Sequence, residues 1–189
     1  MTNAQEFASP VISDTRRWVE RVVVGLSLCP FARKELEADR VRFVETDADS
    51  EEALLQALHA ELQHLEDSPE TETTLLILPA ALRDFDDYLN FLAMAEDLLD
   101  YLGLEGVYQI ASFHPRYRFE GTGPEDTENY TNRSPWPMLH LLREDSLAQA
   151  IDRHPDVEGI PGRNIELMNR MSVARLRELM MPGNNENQG

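Results

Sequence analysis

The stretch that decides the fold runs from Val107 to Glu144 and reads VYQIASFHPRYRFEGTGPEDTENYTNRSPWPMLHLLRE. Its first part, Val107–Phe113, is apolar and predicts a buried strand, and its last part, Pro137–Glu144, predicts a helix. Between them, residues 114–135 form a predicted loop that is rich in polar side chains. A loop of this length in a compact domain is usually functional or disordered, so the stretch predicts a site beside the end of a sheet.

Two further strands precede this stretch. Val41–Asp47 alternates in part, and Thr74–Leu78 is continuously apolar, which is typical of a strand buried on both faces. Helices are predicted after each strand, over residues 50–65 and 84–101. This order predicts a three-stranded, mostly parallel sheet with right-handed crossovers and Thr74–Leu78 at its centre.

Both crossover helices would cover one face of that sheet, so the N-terminal and C-terminal helices are expected to cover the other face. The predicted fold class is α/β: a small three-layer domain over residues 13–181, with a long loop after the third strand and a helical C-terminal third. The alternative is an α+β sandwich in which one strand runs antiparallel. Residues 1–12 are predicted to be a flexible tail and residues 182–189 a disordered one.

Composition excludes several classes of protein. The chain has 189 residues and a formal net charge of −18, so we expect no binding to nucleic acid or to an anionic membrane through a basic field. Acidic residues are concentrated between residues 45 and 105, where Arg83 is the one basic residue, and predict a solvated acidic face. No apolar run reaches the roughly 18 residues that a transmembrane helix needs.

The first ten residues, MTNAQEFASP, lack the basic start and apolar centre of a signal peptide, so a cytoplasmic protein is expected. A single cysteine, Cys29, excludes an internal disulfide and a multi-cysteine zinc site. Cys29 precedes Pro30 and a predicted helix over residues 31–37, where a thiolate would be stabilised by free backbone N–H groups. Cys29 is therefore a candidate nucleophile, and the alternative is a small buried apolar side chain.

Two histidines complete the candidate catalytic set. His114 follows the third strand, at the carboxyl edge where ligands of parallel sheets bind, and is a candidate general acid or base or a structural histidine. His140 is predicted to share a helical face with Arg143, or to pair with Glu144 at the surface. A metal site from His114, Asp126 and His140 lacks tight ligand spacing, so no metal is assigned and the cofactor stays unknown.

The arginines of the loop predict binding of a small anion, because guanidinium groups hold carboxylates and phosphates through paired hydrogen bonds. Arg116, Arg118 and Arg133 could instead pair with acidic residues of the same loop. Arg133 is favoured because Pro135 and a further proline just beyond it stiffen its position. The candidate substrate-binding residues are Arg116, Asn129, Tyr130, Asn132, Arg133, Ser134 and Arg143.

Four motifs carry a resemblance: Gly25–Ala32, Phe113–Pro115, Asn129–Pro135 and His140–Glu144. Together they resemble the bacterial family known as domain of unknown function 1415. The run Asn-Tyr-Thr-Asn-Arg-Ser-Pro is the most specific of the four. The resemblance implies one structural unit from roughly residue 13 to residue 180, and it implies no particular activity, cofactor or catalytic residue.

These observations leave three hypotheses. The first is a small cytoplasmic enzyme that acts on an anionic small molecule through a Cys/His/Arg site. The second is a non-catalytic module that binds a metabolite or peptide and has an acidic surface for a partner. The third is that the run Asn129–Arg133 is architectural and satisfies buried backbone groups around the long loop. The sequence does not predict a reaction class or an oligomeric state.

Overall fold

A mixed sheet of four strands forms the middle layer of the protein. The structure is a computed structural model that describes residues 9–181. The strands are β1 (Val41–Glu45), β2 (Thr73–Ile77), β3 (Tyr108–Phe113) and β4 (Met138–Arg143), in the spatial order β1-β2-β4-β3. β1 pairs with β2 in parallel, and β4 runs antiparallel to both of its neighbours. Three strands therefore share one direction, and the fourth is inserted between two of them.

The predicted three-stranded sheet was wrong because Pro137–Glu144, predicted as a helix, contains β4. Met138, Leu139 and Leu141 are fully buried, so this strand is apolar on both of its faces and shows no polar alternation. A short apolar run of that kind cannot be distinguished from a buried helix by its periodicity. The alternative prediction, an α+β sandwich with one antiparallel strand, did include such a strand.

Two long helices cover the first face of the sheet. They are α3 (Glu51–Asp67) and α4 (Phe85–Tyr101), the crossover helices between the parallel strands. Ser50 caps α3 by accepting a hydrogen bond from the N–H of Ala53 at 3.4 Å, and Asp84 caps α4 in the same way. Their apolar stripes form one core with β2, β3 and β4, whose buried members are Leu54, Leu58, Leu62, Leu65, Leu76, Leu78, Tyr88, Phe91, Ala95, Leu99, Tyr108, Leu139 and Leu141.

Helices from the two ends of the chain cover the second face, as expected. They are α1 (Pro10–Trp18), a π-helix (Val19–Val24), α6 (Gly159–Asn169) and α7 (Val173–Met180). Their buried side chains pack on Leu75, Met138 and Tyr130 and include Trp18, Val19, Val22, Val24, Leu28, Met168 and Leu176. The remaining helices are α2 (Ala32–Glu37), a 3-10 helix (Thr127–Thr131) and α5 (Glu144–Arg153). The result is three layers.

The ends of the domain differ in detail from the prediction. α1 begins at Pro10, inside the predicted flexible tail, because Ser9 accepts a hydrogen bond from the N–H of Ile12 at 3.2 Å. Residues 160–162, predicted as a turn, lie in the first turn of α6, where backbone N–H groups need no helical partner and proline is tolerated. Residues 1–8 and 182–189 lie outside the described part.

The C-terminal third is helical, but residues 163–181 are divided between two helices rather than forming one. Ser172 caps the second of them by accepting a hydrogen bond from the N–H of Arg175 at 3.2 Å. Between Ser9 and Met181, none of the helices combines the length and the apolar character needed to cross a membrane.

Candidate functional site

Asn129 holds the long loop together from within. Its side chain is completely buried, and its Oδ1 accepts hydrogen bonds from the N–H of Phe119 at 2.9 Å and the hydroxyl of Thr122 at 2.8 Å. Its Nδ2 donates to the carbonyl of Gly123 at 2.8 Å. These bonds close the loop on itself.

The next polar residues of the run fasten the loop to the sheet. Asn132 donates from Nδ2 to the carbonyl of Ser112 at 3.2 Å, and its own carbonyl accepts from the N–H of His114 at 3.2 Å. The hydroxyl of Ser134, which is buried, donates to the carbonyl of Trp136 at 2.6 Å. All these contacts satisfy backbone groups, which is the pattern that the architectural hypothesis describes.

Arg133 is held on three sides. Its Nε donates to the carbonyl of Tyr117 at 3.2 Å, and its Nη2 donates to the carbonyl of Pro124 at 2.6 Å. Its guanidinium lies over the ring of Tyr130, 4.4 Å from the ring centroid, which is a cation–π contact. These contacts fix the position of Arg133. Within residues 9–181 Arg133 has no carboxylate partner, so no ion pair neutralises its charge.

An open cavity of about 370 Å³ lies where the loop meets the N-terminus of α4. We term it the arginine pocket, because three guanidinium groups line it. The lining residues are Asp84, Phe85, Asp86, Pro115, Arg116, Arg118, Pro124, Glu125 and Arg133. The loop that leaves the carboxyl end of β3 therefore borders this cavity.

The charges that line the arginine pocket are unevenly paired. Asp84 pairs with Arg116 at 3.3 Å, and Glu125 pairs with Arg177, which lies outside the lining, at 2.6 Å. Arg118 is exposed and makes no hydrogen bond or ion pair with any residue that the structure describes. Two of the three carboxylates are thus already neutralised, whereas two of the three arginines have no carboxylate partner. The acidic first turn of α4 offsets its helix dipole, so the arginines are the positive groups of the pocket.

His114 is buried beside the arginine pocket but does not line it. Its Nδ1 accepts a hydrogen bond from the N–H of Arg116 at 2.9 Å, so the ring proton is assigned to Nε2, which donates to the carbonyl of Leu82 at 2.9 Å. The ring packs against Phe85 and Tyr88. Burial lowers the pKa of His114, although the bond to Leu82 acts in the opposite direction. Both ring nitrogens are therefore engaged by backbone groups.

His140 lies on β4, and its side chain is on the second face of the sheet. Its Nε2 is 2.7 Å from the hydroxyl of Thr73, which donates its own proton to the carbonyl of Leu141 at 2.6 Å. Because that hydroxyl has only one proton, His140 must be the donor in the first contact. Burial lowers the pKa of His140 to about 4, so the ring is neutral at neutral pH.

Arg143 lies on the opposite face from His140, which corrects the helical face that was predicted to carry both. Side chains alternate along a strand, so residues three apart on β4 point in opposite directions. Arg143 donates to the carbonyls of Ser68 and Thr71, at 3.4 and 3.1 Å, and to the hydroxyl of Tyr108 at 3.2 Å. Its guanidinium therefore caps the C-terminal end of α3.

Cys29 lies in the turn between the π-helix and α2 and is partly buried. Burial raises the pKa of its thiol, and hydrogen bonds from the backbone N–H groups of Phe31 and Ala32 lower it by less. The thiol therefore does lie near backbone N–H groups, although that of Ala32 also donates to the carbonyl of Cys29 at 3.4 Å, and desolvation outweighs their effect on the pKa. The neighbouring residue Leu28 is buried in the second-face core, and its carbonyl accepts from Nδ2 of Asn164 at 2.8 Å.

A family model described as "Protein of unknown function (DUF1415)" matches residues 10–178 of this chain. The chain belongs to the DUF1415 family. The match spans the sheet, both helical layers and all four motifs named from the sequence. No curated protein and no solved structure matches the chain.

The DUF1415 fold brings some of the predicted site residues together and separates others. Arg116 and Arg133 share the arginine pocket, whereas Cys29, His114 and His140 do not line it. His114 packs on α4 at the first face, while the residues around Cys29 pack on the second face. Among the described residues, no three His, Cys, Asp or Glu side chains are grouped to hold a metal ion.

Two features of the arginine pocket were missing from the predicted site. Arg118 was weighed as an anion-binding residue but was not selected, although it lies only two residues from Arg116 and both line the pocket. The first turn of α4, Asp84–Asp86, was not expected there. The sequence could have indicated this turn. Ligands bind beyond the carboxyl ends of parallel strands, and α4 is the helix that follows the carboxyl end of β2.

Proposed function

We propose that this protein binds a small anionic molecule in the arginine pocket. The observation that supports this most strongly is that Arg118 and Arg133 line the same cavity and have no carboxylate partner within residues 9–181. Guanidinium groups bind carboxylates and phosphates through charge-assisted, often paired, hydrogen bonds. The lining has as many arginines as carboxylates, three of each, in a chain with a net charge of −18, so this region is less acidic than the protein as a whole.

The fixed position of Arg133 favours binding further. Its contacts with the carbonyls of Tyr117 and Pro124 and with the ring of Tyr130 restrict its rotamers before any ligand arrives. Asn129 fixes the backbone of the same loop through its buried hydrogen bonds. A preorganised side chain loses less conformational entropy on binding, so more of the interaction energy is retained as affinity.

The lining of the pocket also indicates the size and class of the anion. A cavity of about 370 Å³ is of a size that suits a small metabolite. Asp86 has no basic partner in the described chain and could accept a hydrogen bond from a ligand hydroxyl. The overall negative charge would repel extended polyanions. A small carboxylate or phosphate monoester that also carries hydroxyl groups suits this combination.

The proposal is for binding and includes no chemical step. Catalytic roles for Cys29, His114 and His140 stay predictions from the sequence, because none of the three lines the arginine pocket. The same holds for a substrate-binding role of Arg143, whose donors are used at the end of α3. The cytoplasmic location likewise stays a prediction.

Calorimetric titration at low ionic strength tests the proposal with four probes: inorganic phosphate, glycerol 3-phosphate, malate and citrate. We expect saturable binding of at least one probe and an affinity about tenfold lower in Arg118→Ala. The matched control is Arg153→Ala, because Arg153 is also exposed and has no partner among the described residues. It should leave the affinity unchanged. Absence of binding for all four probes, or equal losses in both variants, would contradict the proposal.

A further inference from the structure

A second cavity, of about 420 Å³, lies at the open edge of the sheet between β3 and α4. No lysine, arginine or histidine lines it, and none of its carboxylates has an ion pair among residues 9–181. We term it the acidic groove, after its five acidic residues: Glu96, Asp97, Asp100, Glu105 and Glu144. Its chemistry is thus opposite to that of the arginine pocket.

The backbone of β3 is open along this groove. β3 is an outer strand, and the N–H of Glu144 donates to the carbonyl of Val107 at 2.9 Å, which sets the hydrogen-bonding alternation of the strand. In an antiparallel pair only alternate residues bond to the neighbouring strand, so the N–H and C=O groups of Tyr108, Ile110 and Ser112 point away from β4.

The protein itself covers this edge at its two ends but not in the middle. The N–H of Tyr108 donates to the carbonyl of Leu104 at 3.1 Å, and the carbonyl of Ser112 accepts from Asn132 at 3.2 Å. Ile110 lies between them and lines the acidic groove. Its outward N–H and C=O groups are therefore the available pairing site of the strand.

We propose that this edge binds an extended, cationic segment of a partner protein as an additional strand. The backbone of the segment would pair with Ile110, and its alternate side chains would point toward α4. Lysine or arginine at those positions would meet the carboxylates of Glu96 and Asp100. Tyr101, 86% exposed, and Val107, 47% exposed, are next in sequence to the lining residues Asp100 and Tyr108 and could offer apolar contacts to the same segment.

The combination of features favours a cationic peptide over other occupants. A polyamine or metal ion would use the carboxylates but leave the backbone groups of Ile110 unpaired. A second copy of this chain would bring the same five carboxylates to the interface and be repelled. This inference does not depend on the arginine pocket, since the two cavities share no residue and favour ligands of opposite charge.

The test uses the peptide acetyl-Lys-Thr-Lys-Val-Lys-Thr-Lys-amide and amide NMR spectra of the intact protein. We expect the Ile110 N–H signal to shift on titration at low ionic strength. The same peptide with N-methyl groups on alternate residues keeps its charge but cannot complete strand pairing, and it should bind at least about tenfold more weakly. Spermine, a cation without a peptide backbone, should not shift the Ile110 signal.

Charge variants distinguish peptide binding in the acidic groove from a general attraction to the negative charge of the protein. Glu96→Gln/Asp100→Asn/Glu105→Gln should weaken peptide binding about tenfold at low salt. The control Asp49→Asn/Glu51→Gln/Glu52→Gln removes the same charge from exposed positions elsewhere and should leave binding unchanged. The proposal is overturned if the peptide does not bind, if N-methylation makes no difference, or if both triple variants weaken binding equally.

Discussion

His140 on β4 and Thr73 on β2 are diagonal neighbours on the second face of the sheet, with the imidazole Nε2 of His140 2.7 Å from the threonine hydroxyl. That hydroxyl donates its one proton to the carbonyl of Leu141, so Nε2 of His140 must donate to the hydroxyl. These hydrogen bonds fix a neutral tautomer of the ring. A second ring proton would place a charge in the second-face layer. Burial accordingly lowers the pKa of His140 to about 4.

This pKa shift predicts a dependence of stability on pH. The unfolded chain binds a proton at His140 near its ordinary pKa of 6.5, whereas the folded chain does so only near 4. The contribution to the free energy of unfolding is therefore complete above pH 6.5 and is lost as the pH falls toward 4. Between neutral pH and pH 5 the loss is about 2 kcal/mol.

His140→Gln should flatten this part of the pH profile by that amount. Urea denaturation at several pH values measures the slope, which separates the proton effect from any constant loss caused by the substitution. Above pH 6.5 the difference between wild type and variant should not change with pH. Equal slopes in the two proteins between pH 4 and 6.5 would show that His140 is not the group responsible.

Asn129→Ala should destabilise the protein by about 3 kcal/mol, because the backbone N–H of Phe119 and the carbonyl of Gly123 lose their buried partner. Asn90→Ala is the matched control, since Asn90 is exposed on α4, and its effect should stay within about 0.5 kcal/mol. Urea denaturation at neutral pH measures both values. Similar small effects in the two variants would contradict an architectural role for Asn129.

Cys29 should react slowly with iodoacetamide at neutral pH. Burial raises the pKa of its thiol, so little thiolate is present, and the partly buried sulfur is hard to reach. We expect a rate at least about tenfold below that of an unstructured cysteine peptide, recovering to the peptide rate in denaturant. A rate equal to the peptide rate in the folded protein would contradict this protection of the thiol, and only a rate above it would support the predicted nucleophile.

The sequence predicted much of the fold because its strongest signals are local. Leu75–Leu78 is apolar throughout, and the structure has a fully buried strand at Thr73–Ile77. The capping residues Ser50 and Asp84 mark the starts of the crossover helices correctly. β4 was missed because both of its faces are buried, so its short apolar run shows no strand-like alternation.

Part of the candidate site could also be predicted, because its signal in the sequence is local. Arg133 and its loop stand out by composition, and the structure places Arg133 at a cavity. The partners of Asn129 and His114 could not be predicted, because they are backbone groups brought together only by the folded loop. The predicted helical face shared by His140 and Arg143 followed directly from assigning a helix to a strand.

Arginine side-chain NMR tests the central claim most directly, because the Nε–H signals report on each guanidinium separately. In a titration with glycerol 3-phosphate at low ionic strength, we predict that the signals of Arg118 and Arg133 shift together along one saturable curve, while that of Arg153 stays in place. Signals of Arg118 and Arg133 that do not move, or a shift of all three that does not saturate, would contradict anion binding in the arginine pocket.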